Sequence, residues 1–242
     1  MWCAYKVWCL ELYALVNNAG VCIGGEFEWN TPEHQRFQVE VNLLGTLRCT
    51  QAFLPLLRKS KGRVINVTSV NAQVPYPGFA VYGATKAGIE AFSDALRMEL
   101  RKFDVKVIIV RPGDYARLTS LFAGQSRRAE EMWTAMDTER RQAYGSYFRS
   151  YQDYLIQNNG LTSPPSFERS NLLPVFEEAL CSPNPKSLYT AAPFWLRFFL
   201  GLVSMLPSSW SDRLILFLYS QTFKFNYELG AQNDGVLNIK DK

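Results

Sequence analysis

The fold is decided by a stretch that opens with Arg63-Val64-Ile65-Asn66-Val67 and the polar pair Thr68-Ser69. A helical pattern follows over residues 79–103, and it leads into a second apolar run, Val105-Lys106-Val107-Ile108-Ile109-Val110. Strand, helix and strand at this spacing form a right-handed crossover between parallel strands. The stretch therefore predicts an α/β fold built on a parallel sheet.

Three side chains of this stretch carry the chemistry of proton transfer. Ser69 follows the first strand, at the end where open α/β sheets place their ligands. Tyr82 and Lys86 are four residues apart, so they share one face of the predicted helix. A hydroxyl, a phenol and an ammonium near one strand end predict a catalytic site.

Two upstream segments add polar residues to the pattern. Leu15-Val16-Asn17-Asn18-Ala19-Gly20 predicts a buried strand that ends either in a plain turn or in a turn that approaches a ligand. Thr31-Pro32-Glu33 predicts a helix start, with helical spacing that continues to Leu57. Asn42 lies near the apolar stripe of this helix, as an interior hydrogen-bonded residue or as a site residue. The one histidine, His34, is expected on the surface of the first turn.

Composition limits the function classes. The chain has 242 residues, 48% hydrophobic and 20% charged, which indicates one large globular domain or a domain with an appendage. The formal net charge of +4 comes from scattered basic residues, so no nucleic-acid partner is expected. The five cysteines form no C-x-x-C pair, and a single histidine is present. We therefore expect buried free thiols, no disulfide framework and no metal site.

The second half of the chain predicts a lid and an apolar appendage. A polar helical pattern from 118 to 157 is typical of a substrate lid, and a short helix and a last strand are expected at 171–180 and 187–192. The C-terminal apolar runs are too short to span a bilayer. Their aromatic and basic residues favour a hairpin at a membrane surface, with a core or dimer-interface element as the alternative. The domain prediction is 1–190, which includes a 118–180 lid region, followed by a membrane-associating or packing segment, 191–242.

Five motifs in register resemble the short-chain dehydrogenase/reductase family. They are Asn17-Asn18-Ala19-Gly20, Asn42, Ser69, Tyr82-x-x-x-Lys86 and Pro112-Gly113. Segments such as Gly62-Arg63-Val64-Ile65-Asn66-Val67 and Tyr144-Gly145-Ser146-Tyr147 resemble the branch that holds 3-hydroxybutyrate, 17β-hydroxysteroid and retinol dehydrogenases. The resemblance implies a Rossmann-like three-layer fold. It also implies interconversion of a secondary alcohol and a ketone, the substrate being a small lipophilic steroid, a retinoid or a hydroxy acid.

The resemblance also implies residue roles. Tyr82 is expected to act as general acid/base, with Ser69 on the substrate oxygen, Asn42 on a relay water, and Lys86 lowering the pKa of the phenol. The cofactor, NAD or NADP, is expected to contact Tyr82, Lys86 and the residues Asn17, Ala19, Gly20, Pro112 and Gly113.

Family members place roughly three strand–helix units, on the order of 80 residues at about 30 per unit, before the Asn-Asn-Ala-Gly strand. Sixteen residues precede Asn17 here. The resemblance therefore implies an N-terminally truncated member that lacks the Gly-rich pyrophosphate turn and the residue that selects NAD or NADP, so we expect weak or absent cofactor binding. The alternative function is an inactive form that acts as a membrane-associated or dimerising module.

The resemblance further implies a cellular setting. Helices 31–57 and 79–103 resemble those that form homo-oligomers in this family. Members of the branch are often attached to mitochondrial or endoplasmic-reticulum membranes, so an intracellular, membrane-associated protein is expected.

Overall fold

The computed structural model describes residues 11–158 and 164–223, and it contains a four-stranded parallel sheet. The strands lie in chain order as β1 (Ala14–Asn17), β2 (Arg63–Val67), β3 (Lys106–Pro112) and β4 (Leu188–Ala191). Each strand pairs in parallel with the next. The predicted α/β fold with a parallel sheet is confirmed. The parts of the two predicted domains at residues 1–10, 159–163 and 224–242 lie outside the described residues.

Helices connect and follow the strands. Their bounds are α1 Pro32–Gln38, α2 Gly45–Ser60, α3 Ala80–Leu100, α4 Gln125–Ala135, α5 Thr138–Asn158, α6 Leu172–Cys181, α7 Phe194–Met205 and α8 Ser208–Phe223. Short 3₁₀ turns at Val70–Ala72, Arg101–Phe103 and Ala116–Leu118 complete the connections. The helix and the strand expected at 171–180 and 187–192 are both present.

Helices cover both faces of the sheet, as a three-layer fold requires. On one face, Leu57 of α2 and Leu96 of α3 pack with Val64 and Val107. On the other face, Ile65, Ile108 and Val110 pack against α6. Because every residue of β2 is buried, this strand is the centre of both layers. This explains why its sequence is a continuous apolar run rather than an alternating one.

The helix predicted from Thr31 to Leu57 begins as expected but is not uniform. The Thr31 hydroxyl accepts a hydrogen bond from the backbone N–H of His34, and Pro32 occupies the first turn. A π-helical segment, Val39–Leu44, then separates α1 from α2. Such wider turns are rare and are frequent at functional sites, and this one carries Asn42.

Two expectations about single residues are wrong. His34 is buried, and its Nε2 atom pairs with Glu131 of α4 at 2.8 Å. Of the free cysteines, Cys22 is buried as expected, whereas Cys49 and Cys181 are exposed. The burial of His34 comes with a contact between distant segments of the chain.

The C-terminal elements pack as two helices over the carboxyl side of the sheet. Leu200 and Val203 of α7 and Ile215 of α8 form a small core with Val74. Among the described helices, none combines the length and the apolar character that a transmembrane span requires. The α7–α8 pair nevertheless leaves large apolar side chains in solvent, with Phe194 at 80% exposed and Met205 at 83%.

Candidate active site

The ends of three strands meet at one edge of the sheet. β1 ends at Asn17 and β2 at Val67, while β3 ends at Pro112, followed by Gly113. All three strands are parallel, so their carboxyl ends lie on the same side. This is the edge where open α/β sheets bind ligands. Helix α3 starts beside it, and its first two turns bring Tyr82 and Lys86 there.

Ser69, Tyr82 and Lys86 come together in the structure. The side chains of Ser69 and Tyr82 interact, since the Ser69 hydroxyl lowers the pKa of the Tyr82 phenol, and the Lys86 ammonium lies 5.8 Å from the centre of the Tyr82 ring. All three residues are buried. The structure therefore brings these three side chains to the same end of β2.

Burial, rather than Lys86, controls the acidity of Tyr82. The pKa of Tyr82 is raised well above its ordinary value because burial disfavours the phenolate, and the neighbouring Cys22 adds to this effect. The hydrogen bond with Ser69 acts in the opposite direction. The sequence predicts a lowered pKa for this phenol, and the structure gives a raised one, because desolvation is the largest contribution.

Lys86 is fixed below the end of β2. Its Nζ atom donates a hydrogen bond to the Val67 carbonyl at 3.0 Å. Burial lowers the pKa of Lys86 to about 8, and the adjacent Cys22 opposes the shift. The amine therefore titrates close to neutral pH, a property shared by functional lysines.

Asn42 joins the π-helical segment to the loop after β1. Its amide nitrogen donates to the Val21 carbonyl at 2.9 Å and to the Thr85 hydroxyl at 3.1 Å. Its amide oxygen accepts from the Val21 N–H at 2.8 Å. A carbonyl oxygen has two lone pairs, so one acceptor position on Asn42 is left for a water molecule or a ligand.

Gly20 is the point where this loop approaches the catalytic side chains. A Cβ atom at Gly20 would stand 3.3 Å from the Lys86 Nζ atom and 3.5 Å from the Asn42 Oδ1 atom. The first distance is tight for a carbon atom, and the second is an ordinary van der Waals contact. Any larger side chain at this position would therefore crowd both groups. The structure thus brings Gly20, Asn42 and Lys86 together, although they lie far apart in the sequence.

The side chain of Asn17 is buried and hydrogen-bonded within the interior. Its amide nitrogen donates to Thr50 at 2.9 Å and to Asn66 at 2.8 Å, and Asn66 in turn donates to Ser93. This network fixes the end of β1 against β2 and α3. The Asn17 side chain therefore positions the turn, while the nearby Ala19 is exposed at the sheet edge.

The Pro112-Gly113 turn lies at the same edge, next to β4. The Gly113 N–H donates to the Ala191 carbonyl at 2.9 Å. A Cβ atom at Gly113 would come within 3.0 Å of the Ala192 Cβ atom. Glycine is therefore required for close packing of the turn on the segment after β4.

Two residues of the site were not identified from the sequence. Cys22 is buried and influences the pKa values of both Tyr82 and Lys86, and Thr85 accepts the hydrogen bond of Asn42. Thr85 had a signal, because it directly precedes Lys86 on the buried face of α3. No local pattern points to Cys22, since about 60 residues separate it from Tyr82 and Lys86 in the sequence.

The residues at this edge fit the nicotinamide end of a dinucleotide. An ammonium has three N–H donors, of which Val67 takes one, so the described contacts leave two on Lys86 for ribose hydroxyls. Gly20 and Gly113 keep the backbone free of side chains on either side of the β2 end. Lys86, Tyr82, Gly20 and the Pro112-Gly113 turn are the residues that would hold this part of the cofactor.

Comparison with known proteins agrees with this arrangement. A family model described as short chain dehydrogenase matches residues 5–129. Mitochondrial D-beta-hydroxybutyrate dehydrogenase of Bos taurus is 35% identical over 210 residues, which cover 85% of this chain and 60% of that protein. The 17-beta-hydroxysteroid dehydrogenase type 6 of Bos taurus is 37% identical, with 84% and 63% covered. Retinol dehydrogenase 7 of Rattus norvegicus is 35% identical, with 88% and 67% covered.

The fold comparison gives the same result. The crystal structure of a short-chain dehydrogenase from Streptomyces avermitilis matches with a TM-score of 0.58 and 26% identity, over 88% of this chain and 70% of that one. The chain spans 60% of the length of the hydroxybutyrate dehydrogenases that it matches.

Proposed function

The chain belongs to the short-chain dehydrogenase family, and we propose that it interconverts a secondary alcohol and a ketone with NAD or NADP. The observation that carries this proposal is the shared burial of Ser69, Tyr82 and Lys86, with the Lys86 ammonium 5.8 Å from the centre of the Tyr82 ring. Hydride transfer at carbon needs a proton at oxygen, and this group of side chains supplies one. The cofactor, when bound, provides or accepts the hydride.

Each side chain has a distinct part in the proton transfer. In ketone reduction, the Tyr82 hydroxyl gives its proton to the substrate oxygen, and its raised pKa keeps it protonated until then. Ser69 donates a hydrogen bond to the same oxygen. In alcohol oxidation Tyr82 takes the proton as phenolate, which the positive charge of Lys86 favours. Asn42, through its remaining acceptor position, holds a relay water.

The substrate binds between this site and helices α4 and α5. A Cβ atom at Gly24, in the loop after β1, would stand 2.3 Å from the Cδ1 atom of Leu155. In the same loop, the Gly24 carbonyl accepts hydrogen bonds from Gln125 and Gln152. These contacts support the region 118–180 as a lid over the substrate. The names of the relatives indicate three substrate classes, a hydroxy acid, a steroid and a retinoid.

The membrane surface is the second partner in the proposal. Helices α7 and α8 present Phe194, Met205 and Trp210 to solvent, and an exposed aromatic and aliphatic face is typical of helices that lie in a membrane interface. With the mitochondrial relatives, this supports an intracellular, membrane-associated protein at the mitochondrion or the endoplasmic reticulum. The segment 191–242 is then the membrane-associating part of the chain.

A second copy of the same chain is the third partner in the proposal. An apolar groove of about 370 Å³ lies between α1 and α3 and includes Phe27, Val39, Leu43 and Val81. It supports homo-oligomerisation through residues 31–57 and 79–103. Sedimentation velocity tests this point, because a monomer at all concentrations would exclude it.

The proposal is tested by an assay of hydride transfer. The purified chain is incubated with NAD(H) or NADP(H) and one substrate from each of the three classes, and reduced cofactor is followed by absorbance. We expect turnover with one class and a preference for one cofactor. A chain that binds vesicles but turns over no substrate would instead support the second candidate function, an inactive membrane-associated module, which the exposed face of α7 favours.

A further inference from the structure

A second cleft, whose lining does not include Ser69, Tyr82 or Lys86, lies between the ends of β3 and β4 and helix α7. Its volume is about 330 Å³, which is at the lower end of the range for small-ligand pockets. None of its lining residues is acidic. They are Gln73, Arg111, Thr190, Phe194, Arg197 and Phe198.

The two arginines of this cleft have different electrostatic environments. Arg111 donates from Nε and Nη2 to the two oxygens of Glu90, at 2.9 and 2.6 Å, and from Nη1 to Gln73 at 2.6 Å. Its charge is therefore balanced and its orientation fixed. The guanidinium of Arg197 has no hydrogen-bond or ion-pair partner among residues 11–158 and 164–223. Arg197 thus gives the cleft a net positive charge.

The mouth of the cleft is apolar. Phe194 and Phe198 are 80% and 60% exposed, and their rings stack with centroids 6.4 Å apart. Leu202 and Met205 continue the same exposed row along α7, because residues four and seven positions after Phe198 fall on one helical face. A cation without a partner beside a row of exposed hydrocarbon matches a ligand that has an anionic head and an apolar tail.

We propose that this cleft binds the phosphate group of an anionic phospholipid. Arg197 and the Thr190 hydroxyl face the phosphate, and the acyl chains lie along Phe194, Phe198 and Leu202. The assignment rests on the membrane contact proposed above and goes beyond it, since it names the headgroup charge and the residue that recognises it. A free phosphate ion is also anionic but makes no use of the phenyl rings.

Vesicle co-sedimentation of the whole chain tests the proposal. Binding is measured to phosphatidylcholine vesicles and to vesicles that also contain phosphatidylglycerol. We expect tighter binding to the mixed vesicles, and a loss of at least about tenfold for Arg197→Gln, the factor that corresponds to one charge-assisted hydrogen bond. Circular dichroism confirms that the variant is folded. Arg213→Gln removes the same charge from α8 outside the cleft and is expected to cost no more than about fivefold, the general effect of one basic residue near an anionic surface.

The possible failures are distinct from one another. Equal binding to both kinds of vesicle would overturn the headgroup site and leave the membrane contact standing, whereas no binding to either would overturn both. Equal losses from Arg197→Gln and Arg213→Gln would show general attraction rather than a site. Vesicle binding that is unchanged in Arg197→Gln, together with a loss of inorganic phosphate binding in that variant, would overturn the lipid assignment in favour of the free ion. None of these results depends on turnover, so the proposed dehydrogenase chemistry is tested separately.

Discussion

Lys86 donates a hydrogen bond from its Nζ atom to the carbonyl of Val67, at 3.0 Å, and this contact fixes the ammonium beneath the strand that leads to Ser69. The helix that carries Tyr82 is thereby tied to the end of the strand that precedes Ser69. The contact joins residues 19 positions apart and is buried. It sets the relative placement of the three proposed catalytic groups before any ligand binds.

The pKa of Lys86 predicts how stability depends on pH. The folded state holds this amine at a pKa of about 8, against 10.5 in the unfolded chain. Between these values the unfolded state binds more protons, so the free energy of unfolding rises with pH. We expect the wild type to gain about 1 kcal/mol relative to Lys86→Met between pH 8 and pH 9. Urea unfolding at both values measures this difference.

The control for this comparison is Lys59→Met, which removes an exposed lysine of α2 and should keep the wild-type rise. A difference in unfolding free energy between wild type and Lys86→Met that stays constant from pH 8 to pH 9 would show that the folded chain does not disfavour the charged amine.

Gly78 is expected to be far more sensitive to alanine than Gly124. Both have positive φ angles, +81° and +77°, and an alanine there costs about 1 kcal/mol or more. At Gly78 a Cβ atom would also stand 1.8 Å from the Tyr151 hydroxyl, whereas Gly124 has open space. Gly78→Ala should therefore lose a further 1–3 kcal/mol or so from overpacking. Equal unfolding free energies for the two variants would mean that α5 does not pack on the loop before α3.

Much of the fold follows from local pattern, and the site follows from it only in part. The apolar runs at β2 and β3 predict buried parallel strands because both faces of each strand are covered by helices. Tyr82 and Lys86 were found because four-residue spacing on a helix fixes their common face. Ser69 was found because it directly follows a strand.

What the sequence did not reveal depends on distant contacts. The π-helical turn at Asn42 is supported by Val21, and the burial of His34 by Glu131, 97 residues away. The pKa of Tyr82 was predicted in the wrong direction because spacing indicates a neighbouring charge but not the extent of burial. Desolvation is a property of the whole fold, so a local pattern does not contain it.

The Arg111–Glu90 pair is expected to stabilise the fold more than a surface pair does. Its side chains are only 12% and 15% exposed, and Glu90 also accepts a hydrogen bond from Thr68. Glu90→Gln leaves the Arg111 charge without a counter-ion and should cost about 2 kcal/mol or more. Asp94→Asn, which breaks the exposed pair with Arg97 on the same helix, should cost less than about 1 kcal/mol. Similar losses of unfolding free energy for the two variants in urea would show that the buried pair stabilises the fold no more than the exposed pair does.

The most direct test of the central claim is the turnover number of Tyr82→Phe, measured with the substrate and the cofactor that the wild type prefers. We expect a loss of about 10²–10⁴-fold, the contribution of a general acid/base. The matched control is Tyr189→Phe. Tyr189 is also a buried tyrosine, in β4, but its hydroxyl is engaged by Lys186 and Glu178, so turnover should not change. Wild-type turnover by Tyr82→Phe would contradict the assignment of Tyr82 as the group that transfers the proton.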